Sequence, residues 1–145
     1  MSFENLSPTI NWLTDEENKR IYTSEFWNDL EQEKPKHWYI VDNNFEKLWD
    51  HLRKSKLYDD YLAGEQRLKD YANNNLTIVD LAAGIGWTSA LLSKLNIVKE
   101  VNCVDISKHR MDLICPKAIE MFEGRPEKIN RFIGSFYSTK FENES

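Results

Sequence analysis

The residues best suited to chemistry fall in two short runs, "IVDLAAGIGW" (Ile78 to Trp87) and "VNCVDIS" (Val101 to Ser107). In the first, Asp80 precedes a turn of small residues, Ala82, Ala83, Gly84 and Gly86. Glycines at such a turn let a backbone approach a ligand with no Cβ in the way, and a helix that starts there aims its first N–H groups at the ligand. In the second run Asp105 ends an apolar stretch 19 residues beyond Gly86. A carboxylate so placed can accept hydrogen bonds from the vicinal hydroxyls of a ribose. The two runs in this order point to a nucleoside-containing cofactor. A purely structural alternative gives the glycines tight helix–strand packing and makes Asp105 a cap for the next helix.

The surrounding pattern supplies the elements that would hold these groups. "LTIVDLAA" is a short, β-branched apolar run, expected to be a strand buried on both faces. "WTSALLSKL" has helical spacing through Ala90, Leu91 and Leu95. "VKEVNCVDI" is a second buried strand that ends at Asp105. "SKHRMDLICPKAIEMF" reads as a second helix with Ser107 as N-cap, kinked or divided at Pro116. "INRFIGSFYS" is a third strand and its exit loop. Strand–helix–strand–helix–strand with short connections means parallel strands joined by right-handed crossovers, an α/β fold. In such sheets ligands sit beyond the strands' carboxyl ends, where the glycine turn lies.

Residues 1 to 75 have another character, aromatic and charged with a single glycine, Gly64. Thr14 and Glu17 have capping-box spacing and start a helix expected to run to about Trp27. Asn43 or Asn44 caps the next, where Phe45, Leu48, Trp49 and Leu52 form one apolar stripe. A third helix covers Leu57 to Ala72, with Tyr58, Tyr61, Leu62, Leu68 and Tyr71 as its less polar positions, and Asn73 to Asn75 stop it. "KHWYIVD" (Lys36 to Asp42) is a loop or short strand. The expected organisation is a helical N-terminal segment, 1–75, followed by a parallel α/β sheet of about three strands, 76–145.

On these residues the chain resembles Rossmann-like (class I) S-adenosylmethionine-dependent methyltransferases. "IVDLAAGIGWTSALL" is similar to their first motif, Asp/Glu-x-Gly-x-Gly-x-Gly, "VNCVDIS" to their second acidic motif, and "FIGSFYSTKFENES" to their third-strand region. The resemblance covers Leu76 to Ser145, about half the chain. It implies S-adenosyl-L-methionine as cofactor, with Asp80 facing its charged methionine end directly or through water. Ala82, Gly84 and Gly86 would form the backbone turn, Asp105 would hold the ribose hydroxyls and Ile106 would pack on the adenine. Ser135 stands where the family often has an acid for the adenine amino group, which weakens that recognition, and Phe136 would flank the ring. Ala82 replaces the first glycine, which requires a negative φ there. The methyl acceptor and the catalytic groups are unknown. None of His37, His51 and His109 is placed as a base by a motif, and His109 is expected on the surface. Trp87 is expected to pack between sheet and cap.

Other readings compete. A dinucleotide fingerprint wants a third glycine or alanine; here the pattern is Gly84-x-Gly86-x-x-Ser89, and Asp80 puts negative charge where a pyrophosphate would lie. An NAD-type oxidoreductase fragment is therefore the weaker enzymatic alternative. A non-catalytic cofactor-binding remnant or interaction module is the other. The family sheet has seven strands, so the chain is expected to be the amino-terminal part of a methyltransferase, its sheet of about three strands an incomplete Rossmann-like one.

Bulk properties narrow the partners. The chain of 145 residues has a formal charge of −5, 41% hydrophobic and 30% charged residues. Nothing in that balance attracts a nucleic-acid backbone. The Arg53, Lys54 and Lys56 cluster reads as a solvated helix end. No run approaches the roughly 20 apolar residues of a membrane span. Cys103 and Cys115 form neither a disulfide framework nor a metal pair, and Cys103 is expected in the core. The expectation is a soluble, cytoplasmic protein with no metal and an unknown oligomeric state.

Overall fold

A computed structural model describes residues 5–22, 44–71 and 73–142 of the chain; the side chains of Ile21, Tyr22 and Phe45 are outside that description. The expected end of the first helix near Trp27, the cap at Asn43, the segment Lys36 to Asp42, His37 and residues 143–145 also lie outside it.

Among the described residues four strands form one all-parallel sheet: β1 (Ile10–Asn11), β2 (Leu76–Leu81), β3 (Val98–Asp105) and β4 (Ile129–Ile133), in the order β1-β4-β3-β2. Three of these are the strands expected from the apolar runs. The addition is β1, two residues from the N-terminal segment, which pair with Phe132 and Ile133. Trp12 extends the attachment, donating its N–H to the Ile133 carbonyl at 2.8 Å. The N-terminal segment is thus joined to the sheet.

The helices follow their local signals closely. The first, α1 (Asp15–Tyr22), opens with a reciprocal capping box, in which Thr14 N–H donates to Glu17 Oε2 at 2.9 Å and Glu17 N–H to Thr14 Oγ1 at 3.1 Å. Asn44 caps α2 (Phe45–Lys54), accepting from the Lys47 amide at 3.1 Å. Leu48 and Leu52 of its stripe are fully buried. After Lys56 turns left-handed (φ 66°), α3 (Leu57–Tyr71) runs on, with Tyr61 buried and Leu62 and Tyr71 exposed. Both helices pack on the sheet's helical layer through rings: Trp49 meets Tyr58 at 4.7 Å and Phe122 at 5.2 Å, and Tyr61 meets Trp87 at 5.9 Å.

Between β2 and β3 lies α4 (Trp87–Ser93); between β3 and β4 lies a π-helical turn, Arg110–Ile114, that runs into α5 (Cys115–Met121). The π turn has a covalent cause. Pro116 brings no N–H, and its ring clashes with a helical carbonyl four residues back, so the ladder widens before it. Cys115 accordingly donates to Arg110 O, five residues earlier. Val101, Cys103, Met111, Ile114, Ile119 and Ile129 form the centre of the core.

One strand departs from expectation. Along β2, Leu76, Ile78 and Asp80 face the helical layer, whereas Val79 and Leu81 are 44% and 47% exposed. Among the described residues β2 is an edge strand with a neighbour only in β3, and no helix covers its outer face. An apolar β-branched run thus fits a strand buried on one face as well as on two. His109 is the second correction: it is 5% exposed, and its Nε2 has no hydrogen-bond partner.

Candidate functional site

The turn after β2 rests on three left-handed residues. Ala82, Gly84 and Gly86 have φ of 55°, 62° and 79°. The condition that Ala82 keep a negative φ is therefore not met: this alanine occupies a conformation that suits glycine. The backbone is held there by Ala83 N–H, which donates to Val104 O at 3.0 Å, and by Gly86 N–H, which donates to Ala83 O at 3.0 Å. Gly86 is also fixed by space, since a Cβ on it would lie 2.6 Å from Cys115 Sγ. That sulfur belongs to α5, so at Gly86 the turn that starts α4 packs closely against α5.

Asp105 ties the two motifs together. Its Oδ2 accepts the Gly84 amide at 2.9 Å, its Oδ1 accepts the Ser107 amide at 2.8 Å, and Arg110 Nη1 stands 4.0 Å from Oδ2. Ser107 in turn accepts the Arg110 amide at 3.2 Å, the N-cap expected of it. Asp105 is 5% exposed, and its two oxygens serve the turn on one side and the next helix on the other. Asp105 therefore braces the Gly84 turn and the bend at Ser107, while the helix cap itself is Ser107, and a role toward a ribose would have to share these acceptors; a carboxylate has about four lone-pair sites, so two bonds do not saturate it.

Asp80 lies under the turn. Ser89 donates its hydroxyl to Asp80 Oδ2 at 2.7 Å. Burial pushes the Asp80 carboxyl above its usual range, with a further upward contribution from Asp105, and the Ser89 hydrogen bond works in the opposite direction. Ser89 is fully buried, so the third small residue of the glycine pattern both packs α4 against the sheet and binds this carboxylate. Next to it, the Cys115 thiol and burial raise Cys103 well above an ordinary thiol, and both cysteines are fully buried core residues.

Asp80, Ala82, Gly84, Gly86 and Asp105 thus converge at the carboxyl ends of β2 and β3. Ile106 is half-buried beside Asp105. Gly134 N–H donates to Asp105 O at 3.1 Å, which brings β4's exit close, but Ser135 opens onto a separate small cleft with Trp12 and Glu17. Phe136 is 48% exposed and meets the Tyr137 ring at 4.4 Å, tilted by 36°. Neither lines the cleft above the turn.

That cleft, of about 200 Å³, lies between α2 and the turn. Leu52, Leu57, Ile85 and Trp87 give it an apolar wall, and His51 and Arg110 its polar side chains. Trp87 therefore has both a packing contact, with Tyr61, and a face on the cleft. Reading the sequence missed Arg110. The available signal was a basic residue five positions after the motif acid, a spacing that brings a side chain back over the start of a helix. Among the described residues no group of three or more His, Cys, Asp or Glu side chains could hold a metal ion, and no helix is long and apolar enough to cross a membrane. Set against protein-family models, curated proteins and solved structures, the chain matches none.

Proposed function

We propose that the turn is a nucleoside-cofactor cradle and that the chain is a Rossmann-like methyltransferase domain, or part of one, using S-adenosylmethionine. The observation that carries this reading is the 2.9 Å bond from the Gly84 amide to Asp105, which joins the glycine turn of one parallel strand to the terminal acid of the next. Ligands of open parallel sheets bind at that place. Asp80 supports a cationic cofactor over a dinucleotide, because an anionic group beneath the turn disfavours a pyrophosphate. Methyl transfer is an in-line displacement at a sulfonium carbon, and it requires alignment and desolvation more than covalent help. Asp80, Gly84, Gly86 and Asp105 would then be binding groups. The acceptor is unspecified, and no catalytic base is assigned.

Calorimetric titration with S-adenosylhomocysteine tests the reading. The expected result is saturable binding that weakens at least tenfold in Asp105→Asn, a change that keeps one oxygen acceptor for the turn. NADH should not compete. The burial of Asp105 and the use of both its oxygens favour one rival, a non-catalytic remnant of the fold. A folded chain that binds neither ligand would decide for that rival.

A further inference from the structure

The face of the sheet opposite the helices carries a cleft of about 450 Å³. Strand register assembles it. Thr77 and Val79 of β2 lie beside Glu100 and Asn102 of β3, and Asn130 of β4 lies beside Asn102. Side chains two residues apart on a strand share a face, so Phe132 stands on this side as well. Phe141 meets Phe132 edge-on at 5.3 Å and joins the lining.

Hydrogen bonding fixes which atoms the cleft presents. Asn130 Nδ2 donates to Glu100 Oε1 at 2.7 Å and to Asn102 Oδ1 at 3.0 Å. A carboxylate only accepts, so Asn130 must offer its NH2 there and Asn102 must answer with its oxygen. The NH2 of Asn102 is thereby turned away from Asn130. Asn102 is 6% exposed, and among the described residues its Nδ2 has no acceptor. A donor on so deeply buried a side chain is costly unless water or a ligand accepts from it. Glu100, half-buried, keeps its second oxygen, and Glu142 adds another carboxylate. Among the described residues lining the cleft none is basic. Val79 and the rings of Phe132 and Phe141 supply an apolar side. We propose that this cleft binds a small molecule carrying a protonated amine, a neighbouring oxygen acceptor and a ring. The amine lies on Glu100, the oxygen on Asn102 Nδ2, and the ring against Val79, Phe132 and Phe141.

The volume lies within the roughly 300–1,000 Å³ of small-molecule sites, which pair apolar walls with a few polar groups that fix orientation. A charged partner strengthens the hydrogen bond to a carboxylate. The cleft shares no residue with the glycine turn, so this reading goes beyond the cofactor and stands with or without it.

Phenylalaninamide carries all three groups; 3-phenylpropanamide lacks only the amine, and phenethylamine lacks only the carboxamide. The full chain is titrated at about pH 6, where an α-amine is protonated, and followed by nitrogen-edited NMR. Phenylalaninamide should saturate and shift the side-chain NH2 of Asn102. The amine-free probe should bind at least tenfold more weakly, and phenethylamine at least threefold more weakly. Glu100→Gln keeps an oxygen for Asn130 but removes the charge, and should lower phenylalaninamide affinity at least tenfold. Equal affinity for phenylalaninamide and 3-phenylpropanamide, an unchanged affinity in Glu100→Gln, or no saturable binding by the folded chain would overturn the proposal. The probe comparison needs no variant and decides the matter if Glu100→Gln fails to fold. A dimer in sedimentation that Val79→Glu dissociates would also overturn it, by giving this face to a second copy. Saturating S-adenosylhomocysteine should leave the Asn102 shift in place, and displacement of phenylalaninamide would give the cleft to the cofactor instead. If S-adenosylhomocysteine fails to bind while phenylalaninamide binds through Glu100, the methyltransferase reading falls and this one stands.

Discussion

Within the glycine turn, Ala82 is the position at which side-chain identity and backbone conformation disagree. At φ 55° its Cβ crowds the following carbonyl, at a cost of roughly 1–2 kcal/mol that glycine would not incur. Glycine would in turn release more entropy on unfolding, about 0.4–1 kcal/mol. Ala82→Gly should therefore stabilise the chain by about 0.5–1 kcal/mol and raise the thermal midpoint by roughly 1–4 °C, read by circular dichroism. A fall in the midpoint would mean that the turn is not left-handed at this position. The positions of the chemically special residues were legible because acids and glycines in a fixed order leave few alternatives. Their conformations were not, because an alanine in a sequence gives no sign that its neighbours hold it left-handed. His109 was misplaced for a related reason. Counted on a helix, it falls about 200° from Met111, opposite the apolar face, and the fold buries that side as well.

Elements with local signals were legible nearly to the residue. The Thr14–Glu17 box, the Asn44 cap, the Ser107 cap and the division at Pro116 all depend on interactions within one turn, which spacing encodes directly. The exposure of β2's outer face was not, since whether a strand is central or at an edge depends on neighbours that its own residues do not specify. Contacts between elements were equally hidden, and Gly86 against Cys115 is the sharpest of them. Gly86→Ala would put a Cβ 2.6 Å from Cys115 Sγ as well as into the left-handed region, for a combined cost of about 2–4 kcal/mol. Cys115→Ala removes that sulfur. In urea unfolding of the unsubstituted chain and the three variants, the double variant should recover about 1–2 kcal/mol relative to the sum of the single changes. Additivity within about 0.5 kcal/mol would mean that the helices do not meet there.

At the scale of the molecule, the N-terminal segment is fastened to the sheet by groups with little strand or helix character of their own. A two-residue strand with exposed side chains has no periodicity to read, so β1 is defined by its partner β4. Two devices hold it. Trp12 stacks on Phe132 at 4.5 Å, meets Phe141 edge-on at 5.0 Å, and covers Gly134, where any Cβ would collide with its ring at 2.8 Å. Arg131, 6% exposed on β4, donates through Nη2 to Ser7 O at 2.9 Å and through Nη1 to Met111 O. One buried cation thereby joins the N-terminal segment, the π turn and the sheet. Arg131→Met keeps much of the apolar stem but strips both carbonyls of a charged donor, each such bond being worth about 1.5–3 kcal/mol. The guanidinium's desolvation cost is recovered at the same time. The expected net loss is about 2–4 kcal/mol, and it should be uneven in space. The Trp12 amide, bonded to Ile133 O, should lose hydrogen-exchange protection well before the amides of β3 do. Uniform loss across β1 and β3 would make Arg131 an ordinary core residue; selective loss at Trp12 would make it the fastening that turns a sheet of three long strands into one of four.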